Sequence, residues 1–158
     1  MRIPTAASLL SASLFVALAL AAPAAAKTVS YTGEGVNVKS GQTRGLPVYV
    51  GFELIGRGCP TGPHCLDHAK VQAIEAVDWA YPNCLEVLDG EFEINKHSPR
   101  PVSHKSHTFS ASGISEHYSQ THVTFSGRFL RGGKANGWFE VEEAPCATGR
   151  IHWVAEPD

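Results

Sequence analysis

The sequence predicts an all-β protein, a single antiparallel β-sandwich of the jelly-roll or immunoglobulin-like type with about eight strands. Short segments in which apolar and polar residues alternate recur along the chain, as expected of half-buried strands. Turn-forming residues separate these segments, and the 158 residues include 15 glycines and 10 prolines. Such spacing of short strands and turns is typical of sandwiches and barrels.

Residues 1–26 have the layout of a secretory signal peptide. A basic start at Arg2 is followed by the apolar run 9–22 and by a small-residue cleavage site that ends at Ala26. The apolar run is short for a membrane span, which needs about 20 residues. We therefore expect cleavage near Ala26 and a secreted or periplasmic domain, residues 27–158, that contains no membrane span. The alanine-rich composition of the signal is typical of bacteria.

The N-terminal half contains two clear strands. Residues 28–32 alternate and are rich in β-branched and aromatic side chains, and residues 46–55 form the strongest alternating segment. The apolar face of the second strand would consist of Val48, Val50, Phe52 and Leu54. The glycine-rich stretch 33–45 and the stretch 56–63 are predicted to be loops.

Residues 69–81 fit two interpretations. As a helix, the segment would be capped by Asp67 and would present an apolar stripe. As a strand, its apolar face would be interrupted by Glu75. The stripe would consist of Val71, Ile74 and Val77, and the strand face of Val71, Ala73, Val77, Trp79 and Tyr81. The β-rich surroundings favour the strand, and both interpretations remain open at this point.

The C-terminal half continues the pattern of strands and turns. Residues 96–107 form a basic, histidine-rich segment that is predicted to be a loop, and Gly132-Gly133 supplies a hairpin turn. Within strands, Gly127 and Gly137 indicate bulges or close backbone approach. Strands are predicted at 90–95, 121–130, 134–141 and 150–155, with a short hairpin of 108–111 and 114–118 around Gly113.

The four cysteines fit an oxidising compartment and allow three pairings. Cys59 and Cys65 flank a tight, turn-rich loop, so a local bridge between them is the economical interpretation. Cys84 and Cys146 would then pair across the fold. In the chain-entropy model, a bridge that closes so long a loop stabilises the protein by about 4 kcal/mol.

Four segments of the C-terminal third form a recognisable layout: 125–129 (FSGRF), 133–137 (GKANG), 146–149 (CATG) and 153–155 (WVA). This layout resembles small exported bacterial β-sandwich proteins of actinobacterial type, whose function is unknown and whose chains end in F-x-G-x-F…G-x-A-x-G…C-x-T-G-x-x-x-W-x-A. The resemblance implies export, the sandwich fold and a Cys84–Cys146 pairing, but no active site. The segment with Cys59 and Cys65 departs from the pattern of that group.

Composition and motifs favour a non-enzymatic binding or envelope-associated domain. The formal net charge of −2 offers no basic surface for nucleic acid, so no nucleic-acid partner is expected. The chain has neither a G-x-S-x-G elbow nor an H-E-x-x-H motif, and we expect no cofactor. A glycan or a protein is the expected ligand, and Trp138 is the candidate ligand-binding residue because a surface aromatic ring can stack on a sugar.

The histidines support an alternative function, the binding of a metal ion in the periplasm or outside the cell. The chain has eight histidines, and imidazole is a common ligand of zinc and copper. His64 and His68 flank Cys65, whereas His104 and His107 form an H-x-x-H pair. A secreted hydrolase is the third hypothesis, and it requires a pocket with a hydrogen-bonded nucleophile and base.

Overall fold

The computed structural model describes residues 26–36, 47–56, 66, 68–81, 84 and 90–158. These residues contain ten strands and no helix. The strands are β1 (Lys27–Val36), β2 (Pro47–Gly56), β3 (Lys70–Trp79), β4 (Gly90–Ile94), β5 (Arg100–Pro101), β6 (Thr108–Ile114), β7 (His122–Phe129), β8 (Ala135–Glu143), β9 (Cys146–Ala147) and β10 (Ile151–Pro157). Within this part of the chain, no helix is long and apolar enough to cross a membrane.

The strands form one antiparallel sheet that is nearly closed into a barrel. Their order is β4-β3-β2-β1-β10-β8-β7-β6, with β5 paired to β3 and β9 paired to β8. The two edges, β4 and β6, contact each other, and the backbone N–H of Glu116 donates a hydrogen bond to the carbonyl oxygen of Glu93 at 2.9 Å. The all-β fold is therefore confirmed. The two separate stacked sheets of a sandwich are not confirmed, because β1 pairs with both β2 and β10 and so joins the N-terminal and C-terminal strands into one sheet.

Alternation along the strands places one face of the sheet in the core. The buried residues of β2 are Val48, Val50, Phe52 and Leu54, as predicted, and those of β7 and β10 include Val123, Phe125, Phe129, Ile151, Trp153 and Ala155. Burial of each large apolar side chain contributes about 1.5–3 kcal/mol. The aromatic ring of Phe52 lies 4.9 Å from that of Tyr31 and 5.7 Å from that of Trp153.

Two glycines make room for the indole of Trp153. Gly137 pairs with Gly127 on β7 and with Trp153 on β10. A Cβ atom on Gly137 would lie 1.9 Å from the carbonyl oxygen of Ser126 and 2.6 Å from Cζ2 of Trp153. A Cβ atom on Gly127 would lie 2.4 Å from Cζ of Phe109. The predicted close backbone approach is confirmed at Gly137, whereas at Gly127 the close neighbours are the side chains of Phe109 and Trp153.

β3 confirms the strand interpretation of residues 69–81 but not the predicted apolar face. Ala73 and Asp78 have φ angles of 47° and 64°, and the register of β3 shifts against β2 and β4. A bulge adds one residue to a strand and moves the following side chains to the opposite face. Ile74 and Ala76 are therefore buried, whereas Val77 is exposed.

The glycine-rich region after residue 32 differs from the prediction. β1 continues to Val36, and Gly33 and Gly35 pair with β10 instead of forming a loop. A Cβ atom on Gly33 would lie 2.1 Å from the carbonyl oxygen of Val154. Glycine is therefore required at this position because the two backbones approach closely.

The predicted hairpin around Gly113 is wrong. Residues 108–114 form the single strand β6, in which Gly113 pairs with Val123, and the chain turns at residues 115–121. The predicted loop 96–107 contains the two-residue strand β5. The turn at Gly132-Gly133 is confirmed by φ angles of 90° and 87°.

The disulfide between Cys84 and Cys146 joins the segment between β3 and β4 to β9, with the two Cα atoms 5.8 Å apart. This pairing is confirmed. The predicted Cys59–Cys65 bridge lies outside the described residues, as does the predicted signal peptide up to residue 25.

Candidate functional site

The candidate site lies on the outer face of the sheet, opposite the core. Tyr49 of β2 pairs with Val77 of β3 on one side and with Glu34 of β1 on the other, and Glu34 pairs with Val154 of β10. The four residues thus form one row across four strands. Side chains alternate between the two faces of a strand, so Tyr49 and Val154 face outward because their neighbours along the chain are buried. These buried neighbours are Val48 and Val50 on β2 and Trp153 and Ala155 on β10.

The apolar members of this row are exposed. The exposed fractions are 45% for Tyr49, 37% for Val77 and 53% for Val154. Directly opposed side chains of paired strands have Cβ atoms about 5 Å apart, so Tyr49 and Val77 are contiguous. An isolated exposed apolar residue is ordinary, whereas several in one row form a patch of the kind that marks an interaction surface.

The row borders two shallow grooves that share Glu34. We call the first the tyrosine groove, and its wall residues are Thr32, Glu34, Tyr49, Gly51, Glu75 and Val77. We call the second the tryptophan groove, and its wall residues are Glu34, Asn136, Trp138, His152 and Val154. The two grooves together extend across the outer face from β3 to β8.

Gly51 forms the floor of the tyrosine groove. It pairs with Thr32 of β1 and with Glu75 of β3. The side chain of Glu75 lies over this glycine, since a Cβ atom on Gly51 would lie 2.6 Å from Oε1 of Glu75. Because residue 51 has no side chain, the carboxylate of Glu75 can lie at the floor of the groove.

The tyrosine groove is negatively charged. Glu34 and Glu75 form no ion pair with any described residue, whereas Glu156 at the rim pairs with Lys134. None of the described residues that line this groove is a lysine, an arginine or a histidine. Two carboxylates therefore face solvent without a counterion from the described part of the chain.

The tryptophan groove contains the predicted ligand residue Trp138. This side chain is half-buried, and Cζ of Arg150 lies 4.3 Å from its ring centroid in a cation–π contact. His152 is the cross-strand partner of Trp138. One end of the outer face thus carries the guanidinium of Arg150, and the opposite end carries the carboxylates of the tyrosine groove.

Two of the candidate metal-binding histidines share a separate shallow groove. His68 and His104 both line it, together with Lys70. His107 is half-buried in the turn before β6, where its backbone N–H donates to the carbonyl oxygen of Ser103 at 2.8 Å. His64 lies outside the described residues.

The described residues do not assemble a metal-binding set around these histidines. In residues 26–36, 47–56, 66, 68–81, 84 and 90–158, no three His, Cys, Asp or Glu side chains lie close enough to hold one ion. Structural and catalytic zinc sites use three or four protein ligands. His68 and His104 alone therefore do not form such a site.

A buried polar cluster lies near the disulfide. Oγ1 of Thr121 donates a hydrogen bond to Oε2 of Glu143 at 3.0 Å, and the hydroxyl of Tyr81 lies beside both without a hydrogen bond of normal geometry. Burial raises the pKa of Tyr81 to about 12, and the carboxylate of Glu143 contributes to this shift. Tyr81 therefore stays protonated at neutral pH.

Comparisons with protein-family models, with curated proteins and with solved structures find no match to this chain. The resemblance to small exported bacterial proteins therefore stays a prediction.

The sequence predicted Trp138 as a candidate ligand-binding residue but did not predict the other residues of the outer face. Tyr49 alternates with buried Val48 and Val50, so its outward position follows from the same pattern that predicted β2. The outward position of Val154 follows in the same way from the alternation of β10. The outward position of Val77 does not, because the bulge at Ala73 reverses its orientation.

Proposed function

We propose that this chain is an exported, non-enzymatic binding domain whose ligand lies on the outer face of the sheet. The observation that carries this proposal is the row of exposed apolar side chains, Tyr49, Val77 and Val154, along two connected grooves. These side chains contribute nothing to the core. Tyr49 and Val77 are contiguous, Glu34 separates them from Val154, and apolar surface rimmed by polar residues is typical of interaction sites.

Two features support export. The signal-like residues 1–26 predict secretion, and the Cys84–Cys146 disulfide is of a kind that persists in oxidising compartments. The resemblance of the C-terminal segments to small exported bacterial proteins agrees with this.

Binding is better supported than the two rival functions. Among the residues that the structure describes, metal binding would rest on His68 and His104, which are fewer ligands than a zinc site uses. Hydrolysis would need an activated nucleophile, whereas the raised pKa of Tyr81 favours the neutral form of its hydroxyl. The outer face needs no such chemistry, because binding requires only complementary shape and charge.

Trp138 provides a direct fluorescence test. Trp79 and Trp153 are both only 2% exposed, whereas Trp138 is half-buried at the groove, so quenching by acrylamide reports mainly on Trp138. The oxidised protein would be titrated with soluble peptidoglycan fragments, with a hexamer of N-acetylglucosamine and with a lysine-rich peptide. We expect at least one probe to bind saturably and to protect Trp138 from quenching.

Variants then locate the binding site. The double substitution Tyr49→Ala and Val154→Ser is expected to weaken binding at least tenfold. Tyr118→Ala is the matched control, because Tyr118 is 48% exposed, as Tyr49 is at 45%, but lies in the turn between β6 and β7. Absence of saturable binding to every probe, or an equal loss in the control, would contradict the proposal.

A further inference from the structure

We propose that the tyrosine groove binds an extended, basic polypeptide segment in which an apolar residue lies between two lysines or arginines. This inference rests on the proposed function and specifies the partner of the same surface. It is carried by three properties of the groove: its apolar centre, its uncompensated carboxylates and the separation between them.

The apolar centre consists of Tyr49 and Val77, which are direct cross-strand neighbours. Both side chains are more than one-third exposed, so a partner side chain that covers them removes apolar surface from water. Removal of apolar surface from water favours association. A branched apolar residue of the partner therefore fits at this centre.

The charges are complementary to a basic partner. Glu34 and Glu75 have no counterion among the described residues, and the described wall of the groove contains no cationic side chain. Glu91, which pairs with Val77, adds a further carboxylate at the edge. A lysine or an arginine would form charge-assisted hydrogen bonds with these carboxylates. The neighbouring ring of Tyr49 could add a cation–π contact.

The spacing of the carboxylates defines the partner's pattern. Glu34 and Glu75 lie on either side of β2, two strand spacings apart, and Glu75 is offset by one row because it pairs with Gly51. Strand spacing of about 4.8 Å and a rise of about 3.4 Å per residue place their Cα atoms about 12 Å apart. Residues i and i+4 of an extended chain are about 13 Å apart and point to the same side.

The pattern basic-x-apolar-x-basic follows from this match. The two basic side chains reach Glu34 and Glu75, and the middle side chain lies over Tyr49 and Val77. Gly51 has no side chain, and the carboxylate of Glu75 lies over it, so a basic side chain of the partner can meet this carboxylate at the floor of the groove. A neutral glycan would leave both carboxylates uncompensated, which favours the peptide.

The test uses a synthetic peptide with the core Lys-Thr-Leu-Thr-Lys and two matched peptides, Glu-Thr-Leu-Thr-Glu and Lys-Thr-Ser-Thr-Lys. Binding to the oxidised protein would be measured by calorimetry at two salt concentrations. We expect the first peptide to bind at least tenfold more tightly than either matched peptide. We also expect its affinity to fall as salt rises.

Charge-matched variants identify the groove. The pair Glu34→Gln and Glu75→Gln is expected to weaken binding of the lysine peptide at least tenfold. The control pair Glu116→Gln and Glu142→Gln removes the same net charge from exposed positions elsewhere and is expected to change affinity less than twofold. Equal losses in the two pairs, or equal affinity for the lysine and glutamate peptides, would overturn the proposal.

Failure of this inference is distinguishable from failure of the proposed function. If the lysine peptide does not bind, while the N-acetylglucosamine hexamer binds in a way that is lost in Trp138→Phe but retained in the Glu34 and Glu75 variant, the peptide is overturned and the outer face stays a binding site. Absence of binding by every peptide, by the peptidoglycan fragments and by the hexamer would overturn both.

Discussion

The substitution Gly137→Ala tests how tightly the barrel is packed around Trp153. A methyl group at residue 137 would lie 1.9 Å from the carbonyl oxygen of Ser126, 2.6 Å from Cζ2 of Trp153 and 2.8 Å from Cα of Gly127. Two of these three atoms belong to the backbone of β7. The strand pair β7–β8 must therefore separate, because no side-chain rotation removes the contacts.

The expected cost lies at or above the upper end of the usual range for overpacking. Extra methyl groups in a well-packed core cost about 1–3 kcal/mol when side chains can adjust. Here the rigid ladder must move and the contacts of the Trp153 indole with Phe125, whose ring lies 5.0 Å away, are disturbed. We expect the free energy of unfolding to fall by about 3 kcal/mol or more, which for a domain of this size lowers Tm by about 10 °C or more.

The assay is thermal and urea unfolding followed by circular dichroism, with Gly113→Ala as the matched control. Gly113 also lies in a paired strand, but a Cβ atom there would meet only Cγ2 of Ile94, at 4.0 Å. This control is expected to change stability by less than about 1 kcal/mol, in the stabilising direction, because alanine restricts the unfolded chain. A loss of about 1 kcal/mol corresponds to a fall in Tm of about 3 °C. A Gly137→Ala protein whose Tm falls by less than about 3 °C would refute the packing described for Trp153.

Three further predictions follow from the fold. Replacing both Cys84 and Cys146 by serine is expected to lower the free energy of unfolding by about 4 kcal/mol, because the disulfide closes a loop with a sequence separation of 62 residues. A loss of less than about 1 kcal/mol in urea titrations would contradict the chain-entropy model. Tyr81 loses its proton near its ordinary pKa of 10.0 when unfolded and at about 12 when folded, so the folded state holds more protons in this window and stability falls as pH rises through it. Urea midpoints between pH 9 and pH 12 should fall less steeply in Tyr81→Phe, and an unchanged slope would show that Tyr81 is not responsible. Ala73→Gly is expected to leave the free energy of unfolding unchanged or to raise it by up to about 1 kcal/mol, because the φ angle of Ala73 is 47° and glycine adopts this angle readily. The control Ala76→Gly in the same strand is expected to lower it by about 1 kcal/mol or more. Changes of equal sign for the two variants in thermal melts would argue against the bulge.

The strands whose apolar residues alternate without interruption were predicted with the correct face. In β2 and β7, every second residue is buried, because only one side of the sheet faces the core and a shift by one residue would expose the whole apolar set. Gly33 and Gly35 show where this reasoning fails. Glycine in a local pattern indicates a loop, but here it permits close contact with β10, a strand more than one hundred residues away in the sequence.

The choice between a sandwich and a barrel depends on that same non-local contact. Eight alternating strands fit either architecture, since both bury one face of each strand. The distinction lies in whether β1 pairs with β2 alone or with β10 as well. No local pattern encodes this second pairing, so the sequence could predict the strands without predicting how the sheet is curved.

The candidate site shows how one irregularity serves both folding and binding. A regular strand from Val71 would have placed Glu75 and Val77 in the core, and the buried carboxylate would have been costly. The positive φ at Ala73 moves the following residues to the opposite face, so Ile74 enters the core while Glu75 and Val77 reach the outer surface. Bulges are frequent beside functional sites because they reorient a side chain without ending the strand. Glu75, which interrupts the predicted apolar face, is therefore also the residue that supplies charge to the tyrosine groove. A change that removes the bulge from β3 is expected to lower the stability of the protein and to weaken peptide binding together.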